Sequence, residues 1–316
     1  MNLKTLSREF LEHVEIEKNR SLATVRNYAF YMNRFLEWCS TQGVHSPDKL
    51  NLDHVRAYRL WLNRLGGNTP LKKNTQNYHL IALRAFLKYL SKRDIATLAP
   101  EKIELGKNPE RTVAFLEGDD LELLLSAPQK SAEPDIIKKR DRAILELLFS
   151  TGLRVSELAS LARDSINLSK TEFTIRGKGD KYRIVFLSSR ARHSVAAYLA
   201  KRTDSLEPLF LRHDRAFSPG RHAVTSDDGH TLHLTPRSIQ RLVHKYSTAV
   251  GITKHITPHV MRHTYATDLL MNGADIRSVQ SLLGHASITT TQIYTHITNQ
   301  QLRDVHKAFH GKRRKE

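Results

Sequence analysis

Six side chains in this sequence are of types that could act together on a phosphodiester. Two are guanidinium groups, which can hold non-bridging phosphate oxygens through paired N–H donors and stay charged at any working pH. The others supply an ammonium group, two imidazoles and a phenol, which can act as proton donor, proton acceptor and nucleophile. They are Arg154, Lys178, His259, Arg262, His285 and Tyr294.

A phosphodiester substrate would give each type of group a task. The phosphorus gains negative charge in the transition state, so cations placed beforehand should contribute most of the acceleration. A phenol has an unperturbed pKa of about 10, so it needs a base or a cationic setting to attack. A histidine could accept its proton, and a lysine beside two arginines should have a lowered pKa and could protonate the leaving 5′ oxygen. No carboxylate pair is available for two metal ions, so neither a metal nor another cofactor is predicted.

The stretch from 257 to 294 must position four of these groups. Its apolar spacing predicts a helix on which His259 and Arg262, three residues apart, share one face. Gly284 is predicted to end a following helix, and residues 287–296 a short polar helix that carries the tyrosine. Taken alone, this stretch is explained equally well by a helical bundle whose polar residues only solvate its surface.

The other two groups lie on an elbow and on a hairpin. Arg154 separates two predicted helices, where an arginine usually has a structural role, and Glu157 is a candidate partner for it. Alternation with period two predicts a β-hairpin over 172–186 with Lys178 at its turn. A turn lysine normally faces only solvent, although the flanking glycines make this tip thin enough to enter a groove.

The charge of the chain points to a polyanionic partner. Its 316 residues carry a formal net charge of +18, which makes nucleic acid the first candidate and an anionic membrane surface the second. The basic residues are spread over many predicted helices instead of one amphipathic face, which argues against the membrane. We expect no membrane segment and no secretion signal. The single Cys39 suits a reducing cytosol, so a cytoplasmic protein is expected.

The length suits two domains. Residues 1–100 contain four predicted helices whose outer faces interleave basic and amide side chains, as contacts to phosphates and base edges require. The aperiodic stretch 101–112 is predicted to be a linker, and residues 113–316 a second domain. The predicted fold class is mainly α with a small β-sheet.

The segment 214–232 is polar and irregular, and we predict a loop there. Its histidines, and the pair His259 and His263, raise a metal site as an alternative. The loop has no cysteine and the pair has no glutamate between its members, so the metal alternative is not favoured. The next segment, 235–250, is predicted to be an amphipathic helix whose polar side could enter a major groove.

Several motifs, taken together, resemble the tyrosine recombinase (phage integrase) family in order and in spacing. They are Thr151-Gly-Leu-Arg154-Val-Ser-Glu157-Leu, Gly177-Lys178-Gly179, His259-Val-Met-Arg262-His263-Thr-Tyr-Ala-Thr and Leu283-Gly-His285-Ala-Ser-Ile-Thr-Thr-Thr-Gln-Ile-Tyr294-Thr-His296. The ending, 297–310, is similar to the Xer branch of site-specific recombinases. The resemblance covers nearly the whole chain, since the N-terminal helices look like the family's SAM-like core-binding domain and the remainder like its α/β catalytic domain.

The resemblance implies how the phosphate would be held. Arg154 and Arg262 would bind the scissile phosphate, with His285 as a further donor to it. Glu157 would be structural and would brace the site.

The resemblance also implies how the bonds would change. Tyr294 would attack to give a 3′-phosphotyrosine, His259 would assist removal of its proton, and Lys178 would be the general acid for the 5′ hydroxyl. Because one phosphodiester replaces another, neither ATP nor metal would be required.

The family works as a tetramer on two duplexes, so the implied partners are a double-stranded recombination site and further copies of this chain or of a related recombinase. A C-terminal helix at 298–310 would dock in trans on a neighbour, although packing in cis explains its apolar stripe equally well. The implied function is Xer-type strand exchange that resolves chromosome or plasmid dimers, in the cytoplasm and on the nucleoid.

Three other functions remain open at this stage: integration of a mobile element, a type IB topoisomerase, and a catalytically silent sequence-specific DNA-binding protein. The four-helix N-terminal domain and the exchange helix favour a recombinase over a topoisomerase. The filled catalytic positions argue against a silent protein.

Overall fold

The structure is a computed structural model that describes residues 2–67, 69–106, 114–177, 181–213, 232–285 and 287–294. The described residues form α-helices, one antiparallel pair of strands and short 3₁₀ turns, which confirms the predicted fold class. The chain divides into two compact units, residues 1–110 and 111–316. None of the helices in these ranges combines the length and apolar character needed to span a bilayer.

The first unit is a group of four helices, as the sequence predicted. They are α1 (Leu3–Glu15), α2 (Leu22–Thr41), α3 (Leu52–Arg64) and α4 (Lys73–Ser91). The first of them begins at Leu3, where the side chain of Asn2 accepts a hydrogen bond from the backbone N–H of Lys4.

Aromatic side chains fill the core of this unit. The rings of Phe10 and Phe86 meet edge to face with centroids 5.5 Å apart. The hydroxyl of the buried Tyr58 lies 3.2 Å from Nδ1 of His79, and burial lowers the pKa of this histidine to about 4. Cys39 is buried in the same core, as a structural thiol would be.

The second unit is organised around one buried helix. Its elements are α5 (Gly118–Lys130), α6 (Asp135–Thr151), α7 (Val155–Ala159), β1 (Glu172–Arg176), β2 (Tyr182–Phe186), α8 (Ser189–Leu199), α9 (Pro236–Ala249), α10 (Pro258–Met271) and α11 (Ile276–Leu283). The central α6 packs against α5, α8 and α10, and its Ile144 and Leu148 are fully buried. The core therefore fixes the C-terminal end of α6, from which the site begins.

The two strands form the predicted hairpin. They pair antiparallel, with Glu172 opposite Phe186 and Arg176 opposite Tyr182. The N–H of Gly177 donates to the carbonyl of Lys181 at 2.8 Å, which closes the base of the turn. The tip itself, residues 178–180, lies outside the described residues.

The segment that carries Tyr294 differs from the prediction. In place of a short polar helix over 287–296, the described part contains two 3₁₀ turns, Ile288–Thr290 and Gln292–Tyr294. β-Branched residues dominate this segment, and their stiff side chains lower helix propensity. The predicted helix at 298–310, and the predicted loop at 214–232 apart from Leu232, lie outside the described residues.

The close approach of Gly152 to a neighbouring ring gives a stability test. Gly152 has a φ of +57°, and a Cβ there would lie 2.5 Å from Cδ1 of the buried Tyr265. Gly251 has a φ of +78° and open space around the same position. We expect Gly251→Ala to lower the free energy of unfolding by about 1 kcal/mol through backbone strain, and Gly152→Ala by about 3 kcal/mol because overpacking adds to strain. Urea denaturation of both variants measures this, and equal losses would contradict the close approach.

Candidate active site

Two sharp turns fix the backbone of the site. Helix α6 ends at Gly152 with a φ of +57°, and α11 ends at Gly284 with a φ of +63°. Glycine adopts this left-handed conformation without the strain that a Cβ would cause. Arg154 lies just after the first turn and His285 just after the second, so the two turns fix the backbone from which these side chains extend.

Arg262 ties the two turns together. It lies on α10, which begins at Pro258 and is capped by the hydroxyl of Thr257. The residue is only 3% exposed. Its guanidinium group donates one hydrogen bond to the carbonyl of Gly152 and another to the carbonyl of Leu283.

Arg154 approaches the same place from the other side. Its Nη1 donates to Oε1 of Glu157 at 2.7 Å, and its backbone N–H donates to Oε2 at 2.8 Å. Its Nη2 donates to the carbonyl of Gly284 at 3.3 Å. The groups of Arg154 and Arg262 therefore bind successive carbonyls, those of Gly284 and Leu283, which places the two predicted phosphate-binding arginines side by side.

A third arginine, Arg183 on β2, completes this cluster. Its Nη1 and Nη2 donate to the two carboxylate oxygens of Glu157 at 3.0 and 2.9 Å. Its side chain is 10% exposed and that of Glu157 is 6% exposed. Sequence reasoning identified Glu157 as a partner for Arg154 but missed Arg183. The strand pattern gave no clear signal for it: Arg183 shares a face with the apolar Val185, but the other face carries more apolar residues.

The cluster holds more positive than negative charge. Burial alone would raise the pKa of Glu157, but hydrogen bonds from Arg183 and Arg154 outweigh it and lower that pKa to about 2. Burial, followed by repulsion from Arg154 and Arg183, lowers the pKa of Arg262 to about 9, so it remains protonated at neutral pH. Three guanidinium groups thus lie around the carboxylate of Glu157, two of them bound to it, which makes this a favourable place for an anion.

His285 lies at the edge of the arginine cluster. Its Nδ1 is 3.0 Å from the hydroxyl of the buried Thr291. Burial, with the positive charges of Arg262 and Arg154, lowers the pKa of His285 to about 4. The imidazole is therefore neutral at pH 7 and can donate only through the nitrogen that carries its proton.

The phenol of Tyr294 is fully buried and hydrogen-bonded to Nδ1 of His263. Burial raises the pKa of this tyrosine to about 12, and the charge of Arg262 opposes the rise only partly. Burial, then the neighbouring His259 and Arg262, lower the pKa of His263 to about 4. A neutral phenol and a neutral imidazole are the two partners that a proton transfer to histidine needs.

His259, the predicted proton acceptor, lies one ring further out. It is exposed, and its ring meets that of His263 edge to face with centroids 4.4 Å apart. His263 is therefore the direct partner of the phenol, although the sequence analysis gave it no catalytic role and considered it only as part of a disfavoured metal pair. Its sequence signal was weak: it follows Arg262 directly in the motif, and only the fold shows that it faces Tyr294.

The structure thus brings five of the six predicted groups into one neighbourhood, since charge and hydrogen-bond contacts link Arg154, Arg262, His259, His285 and Tyr294. The sixth, Lys178, lies outside the described residues. Within the described ranges, no group of three or more His, Cys, Asp or Glu side chains is placed to hold a metal ion.

The sequence matches a known family over both units. Residues 114–301 match the phage integrase family, and residues 8–94 match the phage integrase N-terminal SAM-like domain. Tyrosine recombinase XerC of Pelobacter propionicus is 36% identical over 312 residues, which cover 97% of this chain and 95% of that protein. Tyrosine recombinase XerD of Listeria innocua is 36% identical over 304 residues, covering 96% and 97%.

Solved structures share the fold. The Tn1549 transposon integrase in complex with transposon right end DNA aligns with a TM-score of 0.71 at 20% identity, covering 98% of this chain and 99% of that one. The XerH recombinase bound to palindromic difH substrate aligns with a TM-score of 0.69 at 22% identity, covering 95% and 84%.

The chain therefore belongs to the phage integrase family of tyrosine recombinases. Its Xer relatives confirm the enzyme class that the sequence predicted, a site-specific DNA recombinase of Xer type.

The neutral histidines predict that acid destabilises the second unit. The pKa values of His263 and His285 lie near 4 in the folded protein against an ordinary 6.5, so between these limits the unfolded chain binds protons that the folded chain does not. The stability that these two neutral histidines contribute is fully present above pH 6.5 and is lost as the pH falls to about 4. The free energy of unfolding should fall by up to about 1.4 kcal/mol per pH unit for each histidine.

Urea denaturation across this pH range measures the slope. The double variant His263→Asn, His285→Asn should show a flatter dependence than the parent, and His45→Asn, at an exposed position, should match the parent. A double variant with the parental slope would show that these two imidazoles are not the groups that titrate.

Proposed function

We propose that this enzyme cleaves and rejoins DNA through a 3′-phosphotyrosine on Tyr294, and that its Xer-type strand exchange resolves chromosome or plasmid dimers. The observation that carries the proposal is the convergence of Arg154 and Arg262 on the successive carbonyls of Leu283 and Gly284. The positive charge of Arg262 also opposes the rise that burial causes in the pKa of Tyr294.

Arg154 and Arg262 hold the scissile phosphate in this proposal. Each guanidinium group has five N–H donors and spends only part of them on protein carbonyls and Glu157. The remaining donors bind the non-bridging oxygens, with His285 as a further donor. Their charge then matches the negative charge that builds on the phosphorus as the phenol attacks.

The proton path follows from the same geometry. The oxygen of Tyr294 forms a bond to phosphorus while the bond from phosphorus to the 5′ oxygen breaks. In this proposal His263 accepts the phenol proton, and His259, whose exposed ring meets that of His263 edge to face, passes it to solvent. Lys178 protonates the leaving 5′ oxygen. Attack by the 5′ hydroxyl of the partner strand reverses these steps, and no ATP is needed because one phosphodiester replaces another.

The assembly is part of the proposal. The enzyme acts on a double-stranded recombination site as a tetramer, either of this chain alone or with a related recombinase, and residues 298–310 dock in trans on a neighbour. The formal net charge of +18 supports a large contact with DNA. Residues 1–100 form the core-binding domain, residues 101–112 the linker and residues 113–316 the catalytic domain. The enzyme works in the cytoplasm, on the nucleoid.

A nicked suicide duplex tests the covalent step. The duplex carries the chromosomal site at which footprinting places the protein, and the protein–DNA adduct is resolved on a denaturing gel. The parent enzyme should form an adduct, and Tyr294→Phe should form none because the nucleophile is gone. Tyr265→Phe, a change in the same buried cluster, should react within about threefold of the parent. A bound parent that forms no adduct, or a Tyr294→Phe variant that does, would contradict the proposal.

The pH dependence of cleavage tests the proton path. His263 has a pKa of about 4 and is already neutral at higher pH. The rate of adduct formation by bound enzyme should therefore be nearly level between about pH 6 and 8 and fall in more acidic solution, as the acceptor becomes protonated. Single-turnover rates on the suicide duplex measure it. If the rate instead fell around the ordinary histidine pKa, the proton acceptor would be a histidine other than His263.

A further inference from the structure

Arg183 meets three of the segments that the proposed chemistry uses, the elbow of Arg154, the turn at Gly284 and the base of the hairpin, yet it belongs to none of the motifs described above. It lies on β2, and its bidentate ion pair with Glu157 is almost closed to solvent. The same carboxylate accepts from the side chain and the backbone of Arg154. Arg183 therefore reaches the phosphate-binding Arg154 through one shared carboxylate.

The side chain also passes close beneath the turn at the end of α11. A Cβ at Gly284 would lie 2.8 Å from Cδ of Arg183. The next residue, His285, is a proposed donor to the phosphate. Only a glycine lets the chain cross the arginine so closely, so the position of this turn depends on where Arg183 lies.

On its other side Arg183 meets the base of the hairpin turn. A Cβ at Gly177 would lie 3.3 Å from Nη1 of Arg183 and 3.5 Å from Oε1 of Glu157. Gly177 directly precedes Lys178, the proposed general acid. The ion pair thus packs against the residue from which the lysine-bearing tip begins.

The arrangement carries a cost that packing alone does not explain. Nε of Arg183 is buried and has no hydrogen-bond partner among the described residues. A buried donor without a partner is destabilising, and an apolar side chain on this inward face would avoid it. A lysine could not form the two-pronged contact with the carboxylate. The guanidinium group therefore supplies two hydrogen bonds of fixed geometry between strand β2 and the elbow that carries Arg154.

We infer that Arg183 is a positioning residue for phosphoryl transfer, an inference that rests on the proposed function. It clamps Glu157 so that Arg154 faces the phosphate, and it holds the base of the lysine-bearing hairpin against the Gly284 turn. Without the ion pair to Arg183, Glu157 can turn fully toward Arg154 and draw it away from the phosphate. The base of the hairpin that carries Lys178 is then no longer held in place.

Single-turnover cleavage of the suicide duplex, with binding affinity measured separately, tests the inference. Arg183→Gln should bind the site within about threefold of the parent but cleave it about 100-fold more slowly, the scale expected for a small misplacement of catalytic groups. Arg183→Lys, which keeps the charge without the fork, should fall between the two. Lys201→Gln, which removes an exposed ion pair with Asp135, should match the parent.

A substrate in which sulfur replaces the bridging 5′ oxygen distinguishes a positioning role of Arg183 from a general weakening of the fold in the variant. Its thiolate leaves without a proton, so it does not need the general acid. The Arg183→Gln defect should shrink by about tenfold or more on this substrate, because the part due to the displaced hairpin disappears. A merely weakened fold would slow both substrates equally.

Three results would overturn the inference: cleavage by Arg183→Gln within about threefold of the parent, a defect that only follows weaker binding, or an equal defect on both substrates. If Arg183→Gln fails to fold, Arg183→Lys decides by the same measures. Failure of the proposed function is distinct, since the parent itself would then form no adduct.

Discussion

One buried carboxylate shared by two guanidinium groups is the interaction on which this site depends. Glu157 is almost closed to solvent and accepts hydrogen bonds from both Arg154 and Arg183. Removing one partner of a buried ion pair costs about 3–5 kcal/mol because it leaves an uncompensated charge. Arg262 adds a further positive charge that backbone carbonyls hold in place. The resulting excess of positive charge is unfavourable in the empty site and favourable once a phosphate is bound.

The same positive field shapes the acid–base chemistry. Repulsion from the arginines adds to burial in lowering the pKa values of His263 and His285, so both imidazoles are neutral at physiological pH. The cluster proposed to bind the phosphate therefore also keeps a neutral imidazole, that of His263, beside the phenol of Tyr294. The buried helix α6 and the glycine turns at Gly152 and Gly284 matter because they hold this field in one place.

Local rules were enough to predict most of the elements, though not the 3₁₀ turns before Tyr294, and one contact of the site. The helices, the hairpin and the pairing of Arg154 with Glu157 follow from periodicity and short spacing. Arg183 did not follow, because the alternation of β2 suggests the opposite orientation. Tyr182, Ile184 and Phe186 are 69%, 52% and 48% exposed, while Arg183 faces inward. An ion pair to a distant helix overrides the apolar pattern here, and nothing local to the strand records that partner. The contact of His263 with Tyr294 is equally nonlocal.

The most direct test of the account is a crystal structure of the enzyme on a nicked duplex in which orthovanadate replaces the scissile phosphate. We expect vanadium between the oxygen of Tyr294 and the 5′ oxygen, with Arg154 and Arg262 donating to the equatorial oxygens and Glu157 still held by Arg183. Vanadium bonded to a different nucleophile, or guanidinium groups that face away from it, would contradict the account.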